Sequence, residues 1–98
     1  MLFGKKIRAL RKKNNMVLRQ AAAALEIDTP TMSKIERGDR PAKEEYVPLL
    51  AQLYNFDHVE LHKLWLADQL YEVVQEEDLA LEALKIVKNE ITNDREEE

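Results

Sequence analysis

Two groups of side chains in this 98-residue sequence have types and spacings that bear on chemistry. The first is His58 and His62, four apart in His-Val-Glu-Leu-His, which a helix would place on one face. A hydrolytic zinc helix needs Glu directly after its first His, and Val59 stands there instead. No further ligand set accompanies the pair, and with no cysteine there is neither a thiolate ligand nor a thiol nucleophile. No nucleophile–base constellation emerges either, so neither a metal, a cofactor nor an enzymatic activity is expected. The second group is cationic. Residues 1–43 hold eleven Lys/Arg against four acids, a net +7, whereas residues 44–98 hold four against fifteen, a net −11. A chain divided this way presents one half to polyanions and turns the other away.

The elements that carry these charges read as helices throughout. Phe3, Ile7 and Leu10 recur at helical spacing, and Asn14-Asn15 supplies a stop. Leu18 to Leu25 is a second short helix whose four alanines, 21–24, permit close approach of a neighbour. After the break Glu26-Ile27-Asp28, Asp28 has the position of an N-cap for a third helix, with Pro30 in its first turn and Gly38 ending it. A fourth helix spans Lys43 to Tyr54, with Pro48 predicting an irregular or late start. Asp57 and Glu60 open a fifth, from about His58 to Val74, which is apolar on more than one face. Asp78 is the expected cap of a sixth, in which Ala80, Leu84, Val87 and Ile91 fall at 4-3-4 spacing, a helix-pairing seam.

Two short helices joined by a three-residue break form a helix-turn-helix when the facing side chains are small and apolar, and Ala22, Leu25, Ile27, Met32 and Ile35 supply that wedge. The stretch Leu18 to Gly38, and above all Ser33-Lys34-Ile35-Glu36-Arg37-Gly38, resembles the helix-turn-helix of the XRE, or lambda-repressor-like, transcriptional regulators. Ile7-Arg8-Ala9-Leu10-Arg11 and Pro41 to Leu53 fit as well, so the resemblance covers roughly residues 3–56. It implies an all-α, five-helix DNA-binding domain, here followed by a C-terminal helical extension, and an internal ion pair between Arg11 and Glu36. The sequence departs from the family pattern at Leu18, where a phosphate-gripping Gln is usual, and at Glu26, where a Gly usually makes the turn.

With Met32 and Ile35 inward, the third helix presents Thr29, Pro30, Ser33 and Lys34 outward, with Thr31 at the margin; these are the expected base contacts. Lys34 can donate to guanine O6 or N7, and Thr methyls or Pro30 can touch a thymine methyl. The basic first helix, Arg19 or Gln20 replacing the missing Gln, and Arg37, Arg40 and Lys43 past the helix end are expected on phosphates. Residues 1–56 therefore read as the DNA-binding core, and 57–93 as two helices that complete it and form a dimer interface through Leu64, Trp65, Tyr71, Ala80, Leu84, Val87 and Ile91. Residues 94–98 read as an acidic frayed tail. The expected partners are double-stranded DNA and a second copy of the chain. The alternative is an antitoxin-like or adaptor protein whose acidic C-terminal helices bind another protein, with DNA binding secondary. No stretch approaches a membrane span and no apolar run follows the basic start, so a cytoplasmic location is expected.

Overall fold

The computed structural model describes residues 1–97, with side chains through residue 96. The elements are α1 (Leu2–Lys13), α2 (Leu18–Ala24), α3 (Thr29–Arg37), α4 (Tyr46–Leu53), α5 (His58–Val74) and α6 (Ala80–Glu97), with no strand among the described residues. The chain is thus all-α, with the helix-turn-helix at its N-terminal end.

Local chemistry explains most of the boundaries. Asn15, Glu26 and Asn55 take positive φ after α1, α2 and α4, at 56°, 56° and 52°. Asn tolerates this conformation well; Glu26 adopts it without the glycine usual at that turn, at some backbone cost. Asp28 caps α3, accepting the Thr31 N–H at 2.7 Å, and Gly38 ends it in the left-handed region at φ 80°. Pro48 sits in the first turn of an α4 that starts at Tyr46 rather than Lys43; the preceding residues close as turns, Tyr46 donating to the Lys43 carbonyl. Asp57 caps α5 through the Glu60 N–H at 3.1 Å. The start of α6 corrects one expectation. The helix begins two residues beyond Asp78, and among the described residues the Ala80 N–H is met by the Glu77 carbonyl rather than by the Asp78 carboxylate.

The core lies where five helices converge. Ile7, Met32, Val47, Leu50 and Leu61 are fully buried, one or two from each of α1, α3, α4 and α5. Each contributes roughly 1.5–3 kcal/mol of burial. From α2 only Ala21 and Ala22 are buried; Ala23 and Ala24 face solvent. α3 packs on both α1 and α2, and α5 packs on α1 and α4. Trp65 closes the edge of this core, its indole N–H donating to the Ala42 carbonyl at 2.8 Å. α5 therefore completes the core, whereas no described side chain of α6 is buried and only Ala80 and Leu84 are half-covered. A radius of gyration of 15.8 Å reflects this projecting helix, since a compact chain of this length has about 12–13 Å.

Two contacts fix α1. Its first turn has no cap of its own; instead Asp68, buried in α5, accepts the Leu2 and Phe3 N–H groups on its two oxygens, each at 2.9 Å. A carboxylate at a helix N-terminus satisfies orphan donors and the helix dipole together. Further along, Gly4 lies directly against α3: a Cβ there would be 2.6 Å from the Glu36 carbonyl oxygen and 2.7 Å from that of Ile35. The helices meet backbone to backbone. Gly4→Ala should therefore destabilise the fold by about 1–3 kcal/mol despite alanine's better helix propensity. In calorimetry this appears as a fall in Tm of roughly 5 °C or more; an unchanged or raised Tm would show that α1 and α3 do not meet so closely.

Candidate nucleic-acid interface

Helix α3 is divided along its length. Met32, Ile35 and Glu36 are buried, Pro30 and Lys34 are exposed, and Thr29, Thr31 and Ser33 are half-exposed. The outward set is one continuous strip of two threonines, a serine, a proline and a lysine. Such a strip offers short hydroxyl donors and acceptors, methyl groups and one long cation, the groups that read base edges in a major groove about 12 Å wide. Asp28 at its head is held below the usual carboxylate range, first by the hydrogen bonds from Thr31 and then, more weakly, by the charges of Arg40 and Lys34. The cap thus stays ionised.

The flanking cations fall in two groups. Arg19, in the first turn of α2, is exposed. Gln20 is also exposed, but its Oε1 accepts the Val17 N–H at 2.8 Å, so only its amide N–H groups are left for a ligand. Arg37, expected past the helix end, is instead the last residue of α3 and pairs with Asp39 at 3.1 Å; beyond α3, Lys43 lies 4.0 Å from Glu45, and both pairs are exposed. Exposed pairs of this kind are worth about 0–1 kcal/mol and yield readily to a phosphate. Arg40 is exposed and has no ion pair among the described residues.

Behind the strip, Arg11 and Glu36 form a bidentate pair, Nε to Oε2 at 2.8 Å and Nη2 to Oε1 at 3.0 Å. The third nitrogen, Nη1, donates to the Met16 carbonyl at 3.0 Å. One guanidinium thereby joins α1, the loop before α2 and the last turn of α3. Glu36 is buried, and its hydrogen bonds raise the Arg11 pKa above its ordinary value, so the guanidinium stays charged. Beside the pair lies Tyr54, whose buried hydroxyl has no hydrogen-bond partner among the described residues. Burial pushes its pKa up to about 12, the negative Glu36 adding to the rise and Arg11 opposing it.

Sequence reasoning missed three of these features. Gly4 carried a signal, since it is one of only two glycines and shares a helix face with Ile7. Asp68 carried one too, an acid seven residues after Leu61 on the inward face of α5. The orphan hydroxyl of Tyr54 had none. The histidines lie edge-on, 6.0 Å between ring centroids, with His62 tilted over Trp65 at 5.6 Å and its Nε2 3.8 Å from Glu44. Among the described residues no group of three His, Cys, Asp or Glu is gathered as a metal site.

A short polar-faced helix, wedged against a partner by alanine and leucine and followed by surface cations, is the arrangement of a helix-turn-helix. The comparison with protein families agrees. Residues 2–64, nearly two-thirds of the chain, match the family described as "Helix-turn-helix domain", and the chain belongs to that family, of the XRE or lambda-repressor-like kind. The match runs past residue 56 into α5 and takes in Leu61, which is part of the core. Comparison with curated proteins and with solved structures returns no match. No helix among the described residues is long and apolar enough to cross a membrane.

Tyr54 supplies a pH signature for this joint. Below pH 10 the tyrosine is neutral in folded and unfolded chains alike. Between pH 10 and about 12 the unfolded chain ionises it while the folded chain resists, so stability is lost across that window, by up to about 2–3 kcal/mol. Tyr54→Phe should be neutral or slightly stabilising at pH 7, because it removes an unsatisfied buried hydroxyl. Urea unfolding at pH 9 and pH 11.5 should show the variant losing measurably less stability than the parent chain; parallel losses would place Tyr54 in solvent.

Proposed function

We propose that this protein is a sequence-specific transcriptional regulator, a homodimeric repressor or autoregulator of the cytoplasm that lays α3 into the major groove of a near-palindromic operator. The observation that carries this reading is the division of α3: its inner face is locked by Gly4, Arg11 and the apolar wedge, while its outer face holds only groups suited to base edges. Thr29, Pro30, Thr31, Ser33 and Lys34 take the role of base readers. Arg19, Gln20, Arg37, Arg40 and Lys43 take that of phosphate contacts, which position the helix without reading sequence.

Dimerisation belongs to this proposal because nine residues of helix read too few base pairs for an operator, and two-fold pairing doubles the site with half-sites about 34 Å apart. The uncovered side chains of α5 and α6 favour it: Leu70, Tyr71, Val73, Leu81, Ile86, Val87 and Ile91 are all exposed in the single chain. Within the set Leu64, Trp65, Tyr71, Ala80, Leu84, Val87 and Ile91, Trp65 already serves the chain's own core, so Tyr71, Leu84, Val87 and Ile91 carry the greater part. The same uncovered surface is what an antitoxin-like role would use toward an unrelated protein.

Lys34→Ala should cost about 1–3 kcal/mol on the selected operator and relax preference at one base position, measured by fluorescence anisotropy across an operator library. Uniform loss on every sequence would reassign Lys34 to phosphate binding. Affinity should also fall by orders of magnitude between 50 and 200 mM salt if several of the proposed cations neutralise phosphates. Leu84→Glu with Val87→Glu should yield a folded monomer with weakened operator binding. A variant that remains dimeric in sedimentation would place the interface elsewhere.

A further inference from the structure

A trough of about 560 Å³ runs beside the DNA-binding core. Its floor is the C-terminal half of α5, with Leu70, Tyr71 and Val74; one wall is the first turn of α1, with Met1, Leu2 and Lys5; the other is Leu84 of α6. The chain's own α6 forms only that edge. Val87 and Ile91, which continue the seam from Leu84, point into solvent with nearly half their surface open.

Charge distinguishes the two ends of this surface. Lys5 lies in the trough, and Arg8 and Lys12 extend the same face of α1 at spacings of three and four, all exposed. The distal turns of α6 carry Glu90, Asp94 and Glu96 against Arg95 alone among residues 89–96, and all of these are exposed. Neither set has an ion-pair partner within the described residues of the chain. An apolar helix with an acidic end and an apolar trough with a basic end are complementary, and one chain carries both.

Resting on the homodimer reading above, we propose that this trough holds α6 of a second copy, reciprocally, so that the α1 of each DNA-binding core is part of the dimer interface. The apolar seam of the incoming helix covers Leu70, Tyr71 and Val74, and its acidic turns lie along Lys5 and Arg8. This placement has a consequence for DNA reading. Met1, in the trough wall, also rests its side chain on Gly38 at the end of α3, and the Asp68 bonds hold the two residues that follow it. Docking of the second copy therefore bears on the turn that ends the reading helix, not on a remote appendage.

Charge reversal tests this with exposed residues whose replacement leaves the core intact. One full-length variant carries Lys5→Glu and Arg8→Glu; the other carries Glu90→Lys and Asp94→Lys. Sedimentation equilibrium at low ionic strength should show each variant alone dimerising at least tenfold more weakly than the parent chain. An equimolar mixture should recover dimer, because in the mixed pair both α1–α6 contacts again join opposite charges. A parent chain that is monomeric at tens of micromolar would overturn the dimer reading itself. A dimeric parent whose affinity neither variant changes, or variants that weaken without recovery on mixing, would leave a dimer standing and overturn only the docking of α6 beside α1.

Discussion

A nine-residue helix does not hold its own shape or position in water, since isolated helices shorter than about 12–15 residues are marginal. Everything proposed for α3 depends on the contact that makes up this deficit, its close approach to α1. Gly4 removes the side chain that would keep the two backbones apart, and Arg11 then binds Glu36 in a bidentate pair across the same interface. The two parts are mutually dependent. Without the close approach the carboxylate would be open to water and the pair would be a weak surface bridge; without the guanidinium a buried carboxylate would be left unpaired, which costs several kcal/mol.

That contact is propagated rather than isolated. Asp68 carries the position of α1 onto α5, and Trp65, one turn earlier, ties α5 to the loop after α3 through the Ala42 carbonyl. Helix α3 is thus held from behind by α1 and at its exit by a loop anchored to α5. Both anchors on α5 lie within four residues of each other, and the next turns of that helix hold the exposed Leu70 and Tyr71. Rigid support for the polar strip and an uncovered apolar surface are successive stretches of one helix.

Much of this was legible in the chain itself. The wedge of Ala22, Leu25, Met32 and Ile35 is a periodic pattern, and periodic burial of apolar groups is the signal a sequence transmits best. Asp28, Asp57 and Gly38 announced helix ends because capping is local chemistry between residues three or four apart. Glu26, by contrast, breaks the family's glycine rule yet takes the same left-handed turn, at φ 56°. Its turn closes locally, the Glu26 N–H donating to the Ala23 carbonyl at 3.1 Å and the Ile27 N–H to the Ala22 carbonyl at 3.0 Å, and Ile27 packs against the core; these bonds hold the conformation that glycine would adopt freely.

Apolar spacing and local caps thus specified the order of the helices and most of their ends, the face that α3 turns inward, and the family to which the wedge belongs, since each rests on contacts within about one helical turn or on a repeated spacing. Tertiary structure alone decided that Asp68 would serve as the cap of a helix 65 residues earlier, that Gly4 would face two carbonyl oxygens, and that α6 would stand away from the core. Those outcomes join groups far apart in the chain, and nothing in the neighbourhood of a residue encodes which distant surface will arrive to meet it.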